Sequence, residues 1–209
     1  GKTTISQYET FSTVDIGNAL NNPTVLTQIQ TSANTHTRNG NQETAYAVTR
    51  VHNISGPNQS FSLLIENQDN AGSPAINPEE VGWLAIESGE SDLDDGSHLQ
   101  ANLTDKSYND KWKEVNYSSQ FDQTPLLFTK VGTYAGSDAA NSRVQSHTQS
   151  GFTIQVDEET DGDSETSHTS ERISYLALSD SNNLITLTGA NGSVSTDSLP
   201  ADPDSGSAL

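Results

Sequence analysis

The chain of 209 residues contains no cysteine and no methionine. Without cysteine, no disulfide can stabilise the fold. Basic residues are scarce: nine lysines and arginines stand against 28 aspartates and glutamates, for a formal net charge of −19 at pH 7. A field of that sign repels nucleic-acid phosphates and anionic lipid, so nucleic-acid binding and membrane-surface roles are not expected. No apolar run approaches membrane-spanning length, so membrane insertion is not expected either. Hydrophobic residues make up only 31% of the chain, which implies modest cores under long polar loops. The sequence opens Gly1-Lys2-Thr3 and has no methionine anywhere; we read it as processed after removal of a secretion signal, hence extracellular or at the cell surface.

What is present is alternation. Phe152, Ile154 and Val156 are separated by Thr153, Gln155 and Asp157, the period of two expected of a half-buried strand. The same landmarks occur twice in one order. Val25, Thr27, Ile29 and Thr31 correspond to Leu127, Thr129, Val131 and Thr133 at an offset of 102. Arg50-Val51 corresponds to Arg143-Val144 at 93, Phe61 to Ile65 to Phe152 to Val156 at 91, and Val81 to Ile86 to Ile173 to Leu178 at 92. Offsets that drift only across loops are what a duplicated β unit with loop insertions produces.

The expected fold is therefore all-β: two tandem antiparallel β-sandwich modules with a C-terminal strand and a polar tail. The first module spans 1–90, an acidic linker 91–97, the second module 98–183, and an extra strand with a Ser/Asp/Gly-rich tail 184–209. Within Ser32 to Val48 the first copy carries an insertion, read as a hairpin tipped by Asn39-Gly40 or as a contact loop. Trp112 and Tyr117 are expected to supply large apolar contacts. Leu184, Ile185 and Leu187 of the last strand are candidates for assembly with a neighbouring subunit by strand addition.

The run from Asp157 to Glu165 offers hard oxygen ligands on a glycine-containing loop, so Asp157, Glu159, Asp161 and Asp163 are candidate ligands for Ca²⁺, the one cofactor the sequence suggests. A solvated acidic loop is the plainer reading. The five histidines show no zinc spacing, and His168 with Glu171 is read as a structural hydrogen-bonded pair. No nucleophile elbow, phosphate loop or dinucleotide fingerprint is present, so the chain is not expected to be an enzyme.

A strand entered through Pro125, an arginine nine residues before Gly151-Phe152's aromatic, and a last strand Tyr175-Leu176-Ala177-Leu178 preceded by His168 and Glu171 together resemble the H-type lectin family, in particular its tandem bacterial repeats. The resemblance implies a six-stranded antiparallel sandwich, secretion, oligomerisation and sugar binding. It places Arg143, and Arg50 in the first copy, where the family's arginine hydrogen-bonds a sugar, with Tyr134 as a companion. Read from the residues alone, Arg143 is equally a strand residue pairing with Asp157.

Two functions follow as expectations. The first is a lectin-like recognition or adhesion protein whose partners are glycans. The second is a structural subunit of an extracellular filament, surface layer or virion appendage, whose partners are copies of itself; the lack of an aromatic residue between Asp157 and Ser167 favours it. The charge balance makes its own prediction. Raising NaCl from ~0.1 M to ~2 M screens the self-repulsion and should lift the melting temperature by roughly 5 °C or more; a flat or falling melting temperature in a thermal-shift series would refute this.

Overall fold

The structure is a computed structural model and describes residues 1–17, 20–38, 41–44, 47–55, 60–67, 77–158, 166–179, 188–189 and 192–193. The protein is all-β: the described residues contain no helix, and every pair of strands is antiparallel. The first half comprises β1 (Lys2–Ile5), β2 (Ser12–Asp15), β3 (Pro23–Ile29), β4 (Thr35–Arg38), β5 (Asn41–Thr44), β6 (Ala47–Ser55), β7 (Ser60–Asn67) and β8 (Glu79–Glu87). The second comprises β9 (Gly89–Asp92), β10 (His98–Leu103), β11 (Lys113–Asn116), β12 (Leu126–Val131), β13 (Ala140–His147), β14 (Gly151–Glu158) and β15 (Ile173–Leu178). A short pair, β16 (Thr188–Gly189) and β17 (Gly192–Ser193), follows.

Alternation builds the layers. In β7, Phe61, Leu63 and Ile65 point into one apolar seam with Val14 of β2 and Val51 of β6, and Ile5, Val25 and Val81 close it from the sheet β1-β8-β3. The second half repeats the plan: Val115, Ala140, Phe152, Ile154 and Val156 of β11-β14-β13 meet Val131, Ile173, Tyr175 and Ala177 of β12-β15-β10-β9. Each fully buried side chain of this kind contributes about 1.5–3 kcal/mol. A third, thinner seam joins the halves. Every residue of β15 is buried, because Leu176 and Leu178, on the face opposite Tyr175, lie with Leu99 and Ala101 against Leu26 of β3 and Ile86 of β8.

The correspondence between the halves extends to individual hydrogen bonds. Thr31 donates to Glu79 Oε2, and Thr133 donates to Glu171 Oε2. The backbone N–H of Glu80 donates to Thr31 Oγ1 at 2.9 Å, and that of Arg172 to Thr133 Oγ1 at 2.9 Å. Thr27 and Thr49 share a 2.8 Å hydroxyl bond, as Thr129 and Ser142 do at 2.9 Å. In each half the threonine–glutamate bonds tie the segment just past the strand entered through the proline to the start of β8 or the residues just before β15, and the hydroxyl pair ties the same strand to β6 or β13.

Two expectations change, and the hairpin reading of the insertion holds. The acidic segment taken for a linker begins within β9, which pairs with β10 from His98↔Asp92 to Ala101↔Gly89. It lacks apolar periodicity because it is an exposed sheet edge, where charge discourages pairing with another chain. Tyr117 is in the core, but Trp112 is 42% exposed, since it precedes β11 and no strand register turns it inward. The insertion in the first half contains the paired β4 and β5, with Arg38 opposite Asn41; Asn39 and Gly40 lie outside the described residues, as do Leu184, Ile185 and Leu187.

Gly151 opens β14 at φ 159°. A Cβ there would sit 2.2 Å from the carbonyl oxygen of Val115. Gly151→Ala should therefore force β11 off β14 and lower stability by about 2 kcal/mol or more in denaturant unfolding; a change below about 0.5 kcal/mol would show that the two strands separate freely.

Candidate functional site

The halves meet over a buried charge cluster. Arg50 alternates with Thr49 and Val51 along β6, and its ladder partner is Leu64 on β7. Leu64 and Glu66 lie on the β7 face opposite Phe61 and Leu63. Arg50 is 0% exposed. Its Nη1 donates to Glu66 Oε2 at 2.7 Å and to the Asp138 carbonyl at 3.0 Å, and its Nη2 donates to Glu171 Oε1 at 2.7 Å. The guanidinium carbon stands 4.9 Å from the centre of the Tyr134 ring, within range of a cation–π contact. One arginine of the first half thus binds a carboxylate, a carbonyl and a ring of the second.

Glu171 also accepts from Thr133, from the backbone N–H of Ala135 at 2.8 Å and from that of Gly136 at 3.3 Å. His168 Nε2 lies 3.3 Å from Glu171 Oε1, and His168 Nδ1 lies 2.8 Å from Glu158 Oε1. Burial pushes the Glu171 carboxyl up, but these bonds and Arg50 outweigh it and bring it down to about 2. Burial dominates at Glu66 and raises its pKa to about 7 against the pull of Arg50. Two carboxylates on one arginine differ because Glu171 accepts from several further donors. Burial draws His168 down, yet its bonds to Glu171 and Glu158 hold it above the ordinary imidazole value.

Arg50 is therefore withdrawn from the role of a surface anchor for sugar hydroxyls: no ligand reaches a guanidinium sealed between two carboxylates. Tyr134 is taken up in the same cluster. Arg143 occupies the equivalent ladder position, opposite Gln155, with its side chain 67% exposed and its Nε 3.1 Å from Asp157 Oδ2. The sequence paired the two arginines but could not say which was covered. The signal was Leu64, whose counterpart is Gln155: an apolar residue on the outer face of β7 marks a face that something covers. Of the candidate calcium ligands, Asp157 pairs with Arg143, whereas Glu159, Asp161 and Asp163 lie outside the described residues. Among the described residues no group of three His, Asp or Glu side chains is placed to hold a metal.

A groove of about 470 Å³ opens beside the charge cluster. Its walls come from both halves, with Leu26, Gln28 and Leu84 on one side and Phe128 and Lys130 on the other. Phe128 is 52% exposed and Leu84 41% exposed, because the third seam stops short of them. Neither was singled out by sequence. Alternation along β12 places Phe128 opposite in sense to the core residue Leu127, which signals an outward aromatic but not a groove.

A second depression, of about 670 Å³, contains His98 and Ser119. His98 Nδ1 lies 2.7 Å from Asp92 Oδ1, and Ser119 Oγ lies 3.4 Å from His98 Nε2. This has the order of a nucleophile, a base and an orienting carboxylate. However, the serine hydroxyl donates to Glu90 Oε2 at 2.7 Å, and Gln100 Nε2 donates to the same Oγ at 2.8 Å. The serine is held by a carboxylate rather than activated by the imidazole, and the cluster ties β9 and β10 to the loop after β11.

With this geometry established, the chain was compared with known proteins: it matches no family model, no curated protein and no solved structure.

The cluster predicts a pH dependence. Glu66 has its pKa raised by folding, so its contribution is full below the unfolded value of 4.5 and is lost as pH rises through about 7. Across pH 5 to 7.5, wild type should therefore lose up to about 3 kcal/mol of stability relative to Glu66→Gln. Urea unfolding of both proteins at each pH checks this, and parallel curves would refute it.

Proposed function

We propose that this protein is an extracellular, lectin-like recognition protein, built as two β-sandwich modules in tandem, that holds a glycan in the groove between them. The observation that carries the reading is the pairing, in one concave site, of the exposed Phe128 ring with the amide side chains of Gln28 and Gln30. A pyranose ring needs both: an apolar surface for its C–H face, and donors and acceptors for its hydroxyls. Loops surround many sugar sites, but here strands β3, β8 and β12 form the walls, so the site is rigid and little ordering entropy opposes binding. The chemistry is retention rather than turnover, and a single shallow groove implies weak binding that gains strength through several copies acting together.

The reading places the site away from Arg143 and Arg50. A glycan array probed with labelled protein should retain a restricted set of sugars, and Phe128→Ala should weaken retention at least tenfold, about 1.4 kcal/mol, while Arg143→Ala leaves it unchanged. Loss of retention in Arg143→Ala with Phe128→Ala unaffected would move the site to β13, and no retention of any glycan would remove the reading altogether.

A further inference from the structure

We propose that Lys130 makes the groove selective for a sugar that carries a carboxylate, an inference that rests on the glycan reading of the groove. Lys130 is the one charged side chain among the described residues that line it. It lies on β12 two residues beyond Phe128, on the same face of the strand. Thus Phe128 and Lys130 are neighbours along one wall of the groove.

The ammonium is short of partners. Lys130 is half-buried, and among the described residues it makes no hydrogen bond or ion pair. Its nearby carboxylate, Glu66, binds Arg50 through Oε2 and makes no hydrogen bond to Lys130. Burial and the neighbouring Arg50 pull the Lys130 ammonium down to about 8, with Glu66 opposing. Lys130 Nζ is not among the buried side-chain atoms left without a partner, so the ammonium opens to the groove, where partial burial leaves it less fully hydrated than a surface lysine. A carboxylate entering the groove supplies an acceptor through charge-assisted bonds, which are stronger than those of neutral groups.

The facing wall fits the same ligand. Gln28 Nε2 and Gln30 Nε2 donate only to backbone carbonyls of their own strand region, each at 3.3 Å. Those are long bonds on exposed side chains, and a ligand oxygen can replace them. Elsewhere the net charge of −19 repels an anionic sugar, so retention of one points to this groove rather than to the surface at large. At physiological salt the screening length is about 8 Å, which shields the groove from most of that field.

The test is isothermal titration calorimetry at ~0.5 M NaCl with an oligogalacturonate and its carboxyl-reduced counterpart, the same sugar chain without the charge. Wild type should bind the charged form at least tenfold more tightly. Lys130→Gln should remove that preference while still binding the reduced form, and Lys130→Arg should keep it; Phe128→Ala should weaken both ligands. Circular dichroism of each variant verifies folding, and Lys130→Gln should be at least as stable as wild type because a desolvated charge is removed. Equal binding of the two sugars by wild type, or an unchanged preference in Lys130→Gln, overturns the inference and leaves the glycan reading standing. Binding of neither, with neutral glycans still retained on the array, also overturns it, whereas binding of neither with an empty array overturns the glycan reading as well.

Discussion

Arg50 is the residue on which the arrangement of the two halves depends. A guanidinium removed from water must be closed by acceptors, and this one draws them from both halves: Glu66 from its own sheet, Glu171 and the Asp138 carbonyl from the other. The third apolar seam is thin, and apolar contact alone is indifferent to small slides of one sheet over another. Directed bonds at 2.7 Å are not. Removing one partner would strand a buried charge, which typically costs about 3–5 kcal/mol. The groove takes its walls from both halves, so its width is set by the same bonds.

The second half shows what Arg50 would be without that covering. Arg143 has the same place on its strand and Asp157 the place of Glu66, yet both face solvent. An exposed pair of this kind is worth about 0–1 kcal/mol. The two ladders are locally alike, and the difference lies in what covers them: groups of the second half close over Arg50, opposite the buried Leu64, whereas Arg143, opposite Gln155, faces solvent. A filament built by stacking each second half on the next subunit through this same contact would have to bury Gln155 and Asp157 as the first half buries Leu64 and Glu66. The polar substitution argues against that mode of assembly.

The acidic residues and the apolar groove occupy different surfaces. Many of the carboxylates stand on loops and edges, including Glu90 and Asp92 of β9, whose four residues are all exposed, and there they discourage edge pairing. The groove has no acidic side chain among its lining residues. Under the proposed reading, a surface that repels most anions with one lysine in a concave apolar groove would gain selectivity through the contrast.

By itself, the sequence determined the strands that build the two cores, the face each turns inward, and the landmarks that the two halves share. Alternation at Phe61, Leu63 and Ile65 or at Phe152, Ile154 and Val156 follows from the pleat, a local property. Even the threonine-to-glutamate bonds join positions that correspond between the halves, Thr31 to Thr133 and Glu79 to Glu171, though no local pattern announced them. Only the tertiary structure decided which arginine is buried, that the acidic segment after Ser88 is an edge strand, and that Phe128 lines a groove between the halves. Each of these turns on which surface another element covers. Covering depends on contacts between residues far apart in the chain, such as Arg50 with Glu171, and no period along the sequence encodes them.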